Sequence, residues 1–484
     1  MPSDLAYLSV SDLAQAYRSR NLSPVEVTTA LLARIERLNP SLNAFLTITA
    51  EAAFADARRA EEEILRGDAR GPLHGVPVSV KDLFFTEGIT TTGGSPIYRN
   101  YKPSFDATVV SRLRAAGAVI LGKTNLHELA YGVTNENTTF GACRNAWDRA
   151  RIPGGSSGGS AVAVSAGMSA VSYGTDTGGS IRIPASYCGV TGLKPTYGRV
   201  SRHGVIPLSF TLDHVGAFGR SVAEVAIATE AVGGPDSGDP SCLKSACPDW
   251  TSSLRASIQG WRLGVVGGSF IGPLCPDVEA GIARAAEEFT SAGALVEPVE
   301  LPNGLEIGEV AHLVQMADGA SVYHRLLREQ PEQFSEDVRI LIEQGHLISA
   351  VDYINAQRLR RKFQQDLHRL FDRYKAILLP ATPIAAPLIG QRAVEWEAGE
   401  ESVGGASTRL VRPFTFAGVP VLTVPCGMTR SGLPFGMQIV SRSGDELTAL
   451  QLGQAWQNRT NWHKFRPDTS RGADGRTPTS GTGL

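Results

Sequence analysis

The sequence lacks most of the features that mark specialised classes of protein. Its six cysteines form no C-x-x-C pair, which disfavours a zinc site and a redox motif. No stretch reaches about 18 uncharged apolar residues, so we expect no membrane-spanning helix and no membrane partner. The formal net charge of -2 argues against electrostatic binding to nucleic acid. The N-terminus has no basic segment before an apolar one, so we expect no signal peptide and predict a cytoplasmic protein.

Convincing motifs for metals and nucleotides are also missing. The nine histidines include no H-E-x-x-H, so a zinc hydrolase is not expected. Residues Gly117–Thr124 match the phosphate-loop pattern G-x-x-x-x-G-K-[ST], but their middle residues Val119, Ile120 and Leu121 favour a buried strand over a loop. The sequence therefore predicts no metal, no nucleotide and no other cofactor.

The apolar pattern alternates between strand-like and helix-like segments, which is typical of an α/β protein. Ser23-Pro24-Val25-Glu26 is a capping box that starts a helix, and the helical period continues to Leu38. Asp106 is the expected N-cap of another helix, and Gly117 ends that helix. Residues 335–375 are predicted to form a long helical region. Further strands are predicted at residues 76–80, 119–121, 263–266, 376–380 and 421–424, and further helices at residues 52–65, 160–168, 222–232 and 277–291.

Two glycine-rich segments carry the most informative chemistry: Gly154–Ser160, which contains Ser156, and Gly174–Ser180. Glycine lets the backbone approach a substrate and point N–H groups at one spot. Serine becomes a nucleophile when a base takes its proton. Lys81 follows an apolar run, and burial there would lower its pKa enough to make it a base. The combination predicts acyl transfer by a Ser/Ser/Lys arrangement.

Two other interpretations of residues 154–158 are weaker. The pattern G-x-S-x-G also occurs in the nucleophile elbow of α/β-hydrolases, but that elbow needs an apolar strand directly before it. Residues 148–153 are instead a polar loop that ends in proline. A flexible serine–glycine linker is disfavoured as well, because the segment lies between stretches that are not linker-like.

Longer segments around these residues resemble the amidase signature family. The resemblance includes the lysine segment Gly71–Asp82, the serine segments Gly154–Ser160 and Gly174–Pro184, and the following segment Cys188–Val200. It extends over nearly the whole chain, as far as residues 432–436. It implies an α/β fold with a central mixed β-sheet covered by helices on both faces. We expect one amidase domain at residues 1–466 and a disordered tail at residues 467–484, which is polar and poor in apolar side chains.

The resemblance also implies roles for individual residues. Ser180 would be the nucleophile, Ser156 a bridging serine that follows a cis peptide bond, and neutral Lys81 the base. Asp176 and Arg182, which flank the nucleophile, are expected to form a structural ion pair. The backbone N–H groups expected to stabilise the oxyanion belong to Thr177, Gly178, Gly179 and Ser180. The residues expected to contact the substrate are Gly155, Ser157 and Ile183.

The substrate is harder to predict. The resembling amidotransferase A subunits hold glutamine with an arginine, where residues 338–342 here are largely apolar, and with an aspartate, where residues 407–418 here contain no acid. Ile183 is also apolar. We therefore predict a stand-alone hydrolase of small neutral amides, extending to anilides, esters or carbamates (a urethanase), with no nucleic acid partner and with a homodimer as its form of self-association. The alternatives are the A subunit of a tRNA-dependent amidotransferase, which releases ammonia from glutamine, and a non-catalytic scaffold.

Overall fold

The computed structural model describes residues 5–255 and 257–469. Residues 470–484, most of the segment for which the sequence predicts disorder, lie outside the described residues. The described chain contains fourteen α-helices and thirteen β-strands. None of its helices combines the length and the apolar character that crossing a membrane requires.

The helices alternate with strands along much of the chain. The α-helices are α1 Val10–Arg18, α2 Pro24–Leu42, α3 Ala50–Arg66, α4 Thr108–Ala115, α5 Gly158–Ser165, α6 Arg182–Cys188, α7 Val222–Val232, α8 Pro276–Ser291, α9 Gly304–Glu329, α10 Glu336–Gly345, α11 Ala350–Arg373, α12 Val403–Thr408, α13 Arg412–Ala417 and α14 Glu446–Arg459. The strands are β1 Phe45–Ile48, β2 Pro77–Lys81, β3 Val119–Thr124, β4 Val171–Asp176, β5 Thr191–Lys194, β6 His214–Gly219, β7 Arg262–Gly267, β8 Leu295–Glu300, β9 Ala376–Pro380, β10 Ala393–Trp396, β11 Gly399–Ser402, β12 Val421–Met428 and β13 Pro434–Ser441.

Eleven strands form one mixed sheet in the order β1-β3-β2-β4-β6-β5-β12-β13-β9-β7-β8, and β10 and β11 form a separate hairpin. Strand β2 runs parallel to both β3 and β4, whereas β12 runs antiparallel to both of its neighbours. This confirms the predicted α/β class with a central mixed sheet.

Helices cover both faces of the sheet, as alternate residues of strand β9 illustrate. Leu378 packs in an apolar cluster with residues of α8 and α14, whereas its neighbours Ile377 and Leu379 pack with residues of α9, α11 and α13. Successive side chains of a strand point to opposite faces. The two clusters are therefore the two helical layers.

Several local predictions are confirmed and one is wrong. Ser23 caps α2 with the predicted capping box, and Gly117 follows α4 with φ +74°, a conformation that favours glycine. Asp106 is not the cap of α4, because Ala107 occupies that position and the Asp106 carboxylate accepts the Glu87 N–H instead.

The helical region predicted at residues 335–375 is confirmed, and the structure divides it into two helices. Helix α10 ends at Gly345, and α11 begins after Ser349, whose side chain accepts the Asp352 N–H. The predicted helix at residues 160–168 lies at Gly158–Ser165. The segment that matches the phosphate-loop pattern forms strand β3, as expected from its apolar middle.

Candidate active site

The three residues predicted to be catalytic come together at one end of the sheet. Lys81 is the last residue of β2, and Ser180 lies four residues beyond the end of the parallel neighbour β4. Ser156 lies in the loop that leads into α5, directly after the cis peptide bond between Gly155 and Ser156. Because β2 and β4 run parallel, their carboxyl ends deliver Lys81 and the loop after Asp176 to the same place.

Lys81 is fully buried and is surrounded by hydroxyl groups. Its Nζ lies 2.7 Å from the Oγ of Ser156 and 2.8 Å from the Oγ1 of Thr175. Burial lowers the pKa of Lys81 to about 7, although Asp213 and Asp176 oppose this effect. A substantial fraction of Lys81 is therefore neutral near pH 7, with a lone pair able to accept a proton from Ser156.

The two glycine-rich loops are bonded to each other. The N–H of Ser157 donates to the Ser180 carbonyl at 3.3 Å, and the Ser157 hydroxyl donates to the Thr175 carbonyl at 3.0 Å. Within the described chain, no hydrogen bond joins the side-chain hydroxyls of Ser156 and Ser180. Ser157 thus joins the loop of Ser156 to the segment that carries Ser180.

Asp176 fixes the loop that carries Ser180. Its carboxylate accepts the N–H groups of Gly179 at 2.9 Å and Ile181 at 3.1 Å. It also pairs with Arg182 at 2.9 Å, with both side chains fully buried. Burial by itself would raise the pKa of Asp176, but the Arg182 guanidinium overcomes this effect and holds the pKa below its usual range. Asp176 and Arg182 therefore form the structural pair expected from the sequence.

This arrangement distinguishes among the four predicted oxyanion donors. The N–H of Gly179 is already bonded to Asp176, and Gly179 has φ +119°, where a side chain would also meet Val411. Gly178 and Ser180 line the adjacent cavity. Their N–H groups have no acceptor among the described residues and are the better placed donors. Thr177 is anchored by its hydroxyl, which donates to Asp213 at 2.6 Å.

A cavity of about 400 Å³ opens beside Ser180. None of the predicted substrate-contacting residues lies in its lining. Ile183 is fully buried in an apolar cluster with Tyr187 and Val411. Gly155 and Ser157 are buried in the loop that leads into α5. Residues 338–342 and 407–418, the two segments expected to form the substrate pocket, contribute Leu341, Thr408 and Arg412 to the lining.

Sequence reasoning missed the polar residues of this cavity. Glu309, His312 and Gln315 come from α9, and Arg412 is the first residue of α13. The spacing of three residues within α9 was the available signal, because residues at i and i+3 share a helix face. Tyr131 also lines the cavity.

Arg412 is a charged residue of the cavity lining that lies beside the loop of Ser180. Its side chain reaches Gly178, and its Nε is buried without a hydrogen-bond partner in the described part of the chain. Burial lowers the pKa of Arg412 to about 10, with Glu309 opposing, so the guanidinium stays charged at neutral pH. Burial lowers the pKa of His312 to about 3, which keeps this imidazole neutral.

Comparisons with known proteins place these observations in a family. The Amidase family model matches residues 26–450. The glutamyl-tRNA(Gln) amidotransferase A subunit of Chloroflexus aggregans is 38% identical, with coverage of 97% of this chain and 99% of that protein. The corresponding A subunit of Roseiflexus sp. is 39% identical, with coverage of 96% and 99%.

Solved structures agree with this relationship. One belongs to a vestigial protein complex that reveals the evolutionary origins of an s-triazine catabolic enzyme. It has a TM-score of 0.90 and 38% identity, and covers 93% of this chain and 98% of that chain. The glutamyl-tRNA(Gln) amidotransferase A subunit of Thermotoga maritima has a TM-score of 0.80 and 31% identity, with coverage of 95% and 96%.

Two predictions from the sequence are wrong in the light of these relatives. The stand-alone hydrolase of neutral amides, anilides, esters or carbamates is contradicted by full-length relatives that are amidotransferase subunits. The prediction of a small-molecule substrate with no nucleic acid partner is wrong for the same reason. The names of these relatives contain a charged tRNA, glutamyl-tRNA(Gln), and describe them as subunits of an enzyme. The physical error was to infer a neutral pocket from the missing arginine in residues 338–342 and the missing acid in residues 407–418, since Arg412 of the second segment lines the cavity and α9 adds Glu309.

Proposed function

The chain belongs to the amidase signature family, whose chemistry is the hydrolysis of C–N bonds, and from this premise we propose that it is the A subunit of a glutamine-dependent amidotransferase. It releases ammonia from glutamine and works with companion subunits that pass the ammonia to a charged tRNA. It acts in the cytoplasm, where charged tRNA is present. The amidotransferase subunits that resemble it over nearly their full length support this proposal.

The observation that carries the choice of substrate is the guanidinium of Arg412. Within the described chain it forms no ion pair or hydrogen bond, although its Nε is buried beside the loop of Ser180. A partly buried cation whose Nε has no hydrogen-bond partner is unfavourable, so a site of this kind suits an anion that arrives with the ligand. The α-carboxylate of glutamine supplies that anion and can bind the planar guanidinium through two hydrogen bonds.

The reaction begins with proton transfer through the two serines. Neutral Lys81 accepts the proton of Ser156, which accepts the proton of Ser180 as the Ser180 Oγ attacks the side-chain amide carbon. Rotation of the Ser180 side chain on binding completes this relay, since catalytic hydrogen bonds are often loose before the substrate is bound. The N–H groups of Gly178 and Ser180 stabilise the negative oxygen of the tetrahedral intermediate.

Ammonia leaves when the proton travels back along the same path. Lys81 returns it through Ser156 to the amide nitrogen, the C–N bond breaks, and a glutamyl ester remains on Ser180. A water molecule then attacks the ester and gives its proton to Ser156, and the Ser180 oxygen leaves with a proton. Glutamate is the second product, and the enzyme returns to its initial state.

The test is to assay ammonia release from L-glutamine by the chain assembled with its companion subunits in the presence of glutamyl-tRNA(Gln). We expect glutamine hydrolysis, labelling of Ser180 by a fluorophosphonate, and loss of both in Ser180→Ala. Arg412→Met should raise KM for glutamine by about 10-fold or more, the value of a charge-assisted hydrogen bond. The matched control is Arg430→Met, which removes one positive charge from a side chain that is 93% exposed. It should leave KM for glutamine unchanged. Absence of ammonia from glutamine in the complete assembly would refute the proposal.

A further inference from the structure

Gln315 of α9 places its side-chain amide against the glycine-rich loop that carries Ser180. Its Oε1 lies 2.8 Å, and its Cδ 3.8 Å, from where a side chain on Gly178 would begin. Arg412 approaches the same point with its Cγ, at 3.9 Å, and not with its guanidinium. The Gln315 amide is therefore the polar group that α9 and α13 bring closest to the backbone of Gly178.

This amide keeps its hydrogen-bonding capacity free. Gln315 is partly buried and lines the cavity beside Ser180. No residue of the described chain donates a hydrogen bond to its side chain or accepts one from it. A side-chain amide has two N–H donors and one accepting oxygen, and a half-turn about the Cγ–Cδ bond exchanges their positions. The donors of Gln315 are thus available to a group that enters the cavity.

The position of Gln315 is fixed by Asp318, which follows it by three residues on α9. The buried carboxylate of Asp318 accepts the hydroxyls of Ser209, at 2.5 Å, and Thr211, at 2.6 Å. Residues three apart share a helix face. These bonds therefore hold the face that carries Gln315 against the segment at residues 209–213.

The same segment fixes the start of the glycine-rich loop. Asp213, its last residue, accepts the hydroxyl of Thr177 at 2.6 Å. Thr177 directly precedes Gly178 in the chain. The Gln315 amide and the Gly178 N–H are thus held in place relative to each other before a substrate arrives, and such preorganisation is what makes hydrogen-bond donors effective in a transition state.

The loop by itself offers the oxyanion fewer donors than the sequence predicts. The N–H of Gly179 is bonded to the carboxylate of Asp176 at 2.9 Å. The N–H groups of Gly178 and Ser180 remain as the better placed backbone donors. The side-chain amides of Asn and Gln are suited to complete such a site, because a neutral donor fixed beside the reacting carbonyl stabilises the charge that develops on its oxygen.

We propose that Gln315 is a catalytic residue: its side-chain N–H donates to the carbonyl oxygen under attack and, with the N–H groups of Gly178 and Ser180, stabilises the oxyanion. The inference rests on the proposed function for the nucleophile Ser180, but not for the identity of the amide. The oxygen becomes charged only on the way to the tetrahedral intermediate. Loss of this donor should therefore lower kcat and leave substrate binding nearly unchanged.

The test compares two substitutions of Gln315 in the chain assembled with its companion subunits. Gln315→Met keeps the length of the side chain without a donor, whereas Gln315→Glu keeps its shape but places an ionised carboxylate, which only accepts, beside the oxyanion. We expect kcat for glutamine to fall about 100- to 1,000-fold in Gln315→Met, the value of one oxyanion donor, and further in Gln315→Glu. KM should stay close to that of the parent. Gln344→Met, on the exposed surface of α10, is the matched control and should keep the parent kcat.

Fluorophosphonate labelling of the full chain gives a second measurement that does not depend on glutamine. The phosphoryl oxygen of the probe occupies the oxyanion position while Ser180 attacks, so the rate constant of labelling should fall in the order parent, Gln315→Met, Gln315→Glu. Thermal unfolding of the same chains shows whether the fold is retained, and we expect both variants to unfold like the parent.

The outcomes separate this inference from the proposed function. If Gln315→Met raises KM but leaves kcat and the labelling rate unchanged, Gln315 contacts the bound substrate and not the oxyanion, and the inference is wrong. It is also wrong if Gln315→Glu keeps the parent kcat or the parent labelling rate, because an ionised carboxylate cannot donate. If the assembly releases no ammonia from glutamine while labelling falls in the expected order, the proposed function fails and this inference stands.

Discussion

At the scale of single residues, two buried lysines show how neighbours decide what a lysine can do. Lys123 lies 3.0 Å from the carboxylate of Asp82 and also donates to Thr91. Lys81 is equally buried, but its hydrogen-bond partners are the hydroxyls of Ser156 and Thr175. Burial lowers the pKa of both lysines. Of the two, Lys81 has weakly acidic hydroxyls as partners and no carboxylate in ion-pair contact within the described chain, which is what a general base needs.

We predict that the protonation of Lys81 controls the pH dependence of amide hydrolysis. The pKa of Lys81 is about 7. The protonated amine cannot accept a proton, so kcat/KM should fall about tenfold per pH unit below that value and reach a plateau above it. The measurement is kcat/KM for the amide substrate between about pH 5 and about pH 9, which spans the titration on both sides.

Lys81→Ala should lower turnover at every pH by at least about 100-fold, the usual contribution of a general base. Lys123→Ala is unsuitable as its control, because it would strand the buried Asp82. A pH-independent kcat/KM, or an active Lys81→Ala chain, would contradict the assigned role.

At the scale of secondary-structure elements, local signals decided where several helices begin. The Ser23 hydroxyl accepts the Glu26 N–H at 3.1 Å, and the Glu26 carboxylate accepts the Ser23 N–H at 2.8 Å. This reciprocal pair satisfies two N–H groups at the start of α2 that have no partner inside the helix. The same pair of bonds, with Ser221 and Glu224, starts α7.

We expect Ser23→Ala to lower the free energy of unfolding by about 1 kcal/mol, because one N–H at the start of α2 loses its acceptor. Thermal unfolding with and without the substitution measures the effect. Ser23→Asp keeps an acceptor at the same position and should unfold like the parent. Activity should be the same in all three chains, since α2 contributes no residue to the cavity lining. Equal thermal stability of Ser23→Ala and Ser23→Asp would show that the cap contributes nothing.

At the scale of the whole molecule, Arg182 joins segments that are far apart in the chain. Its guanidinium pairs with Asp176 and donates to the Val411 carbonyl at 2.6 Å and to Gln438 at 3.0 Å. It also donates to Thr415. One fully buried side chain therefore connects the loop of Ser180 with α13 and β13. The same contacts place Arg412, the residue after Val411, beside the cavity.

We predict that Arg182→Met destabilises the protein by about 3–5 kcal/mol, because it leaves the carboxylate of Asp176 buried without its cation. Arg369→Met is the matched control: Arg369 pairs with Asp366 at the surface, and losing such a pair costs at most about 1 kcal/mol. Urea unfolding of the parent and the two variants measures the difference. If Arg182→Met were no less stable than Arg369→Met, the buried pair would not be a structural link.

The sequence by itself determined those parts of the protein whose signals are local. A capping box, a run of apolar residues or a glycine-rich loop acts through neighbours along the chain, so α2, β2 and the loops with Ser156 and Ser180 could be predicted. The break between α10 and α11 could not, because both helices have apolar and polar residues at helical spacing and only packing decides where the chain turns.

Only the tertiary structure decided what the cavity contains. Glu309 and Arg412 are about a hundred residues apart, and no local pattern says that α9 and α13 pack against each other beside Ser180. The segments expected to form the pocket were apolar or lacked an acid, and the inference of a neutral pocket followed from them. Charge acts through space over several ångströms, so the electrostatics of the site depend on which helices pack around it, and that packing arises only when the whole sheet and both helical layers assemble.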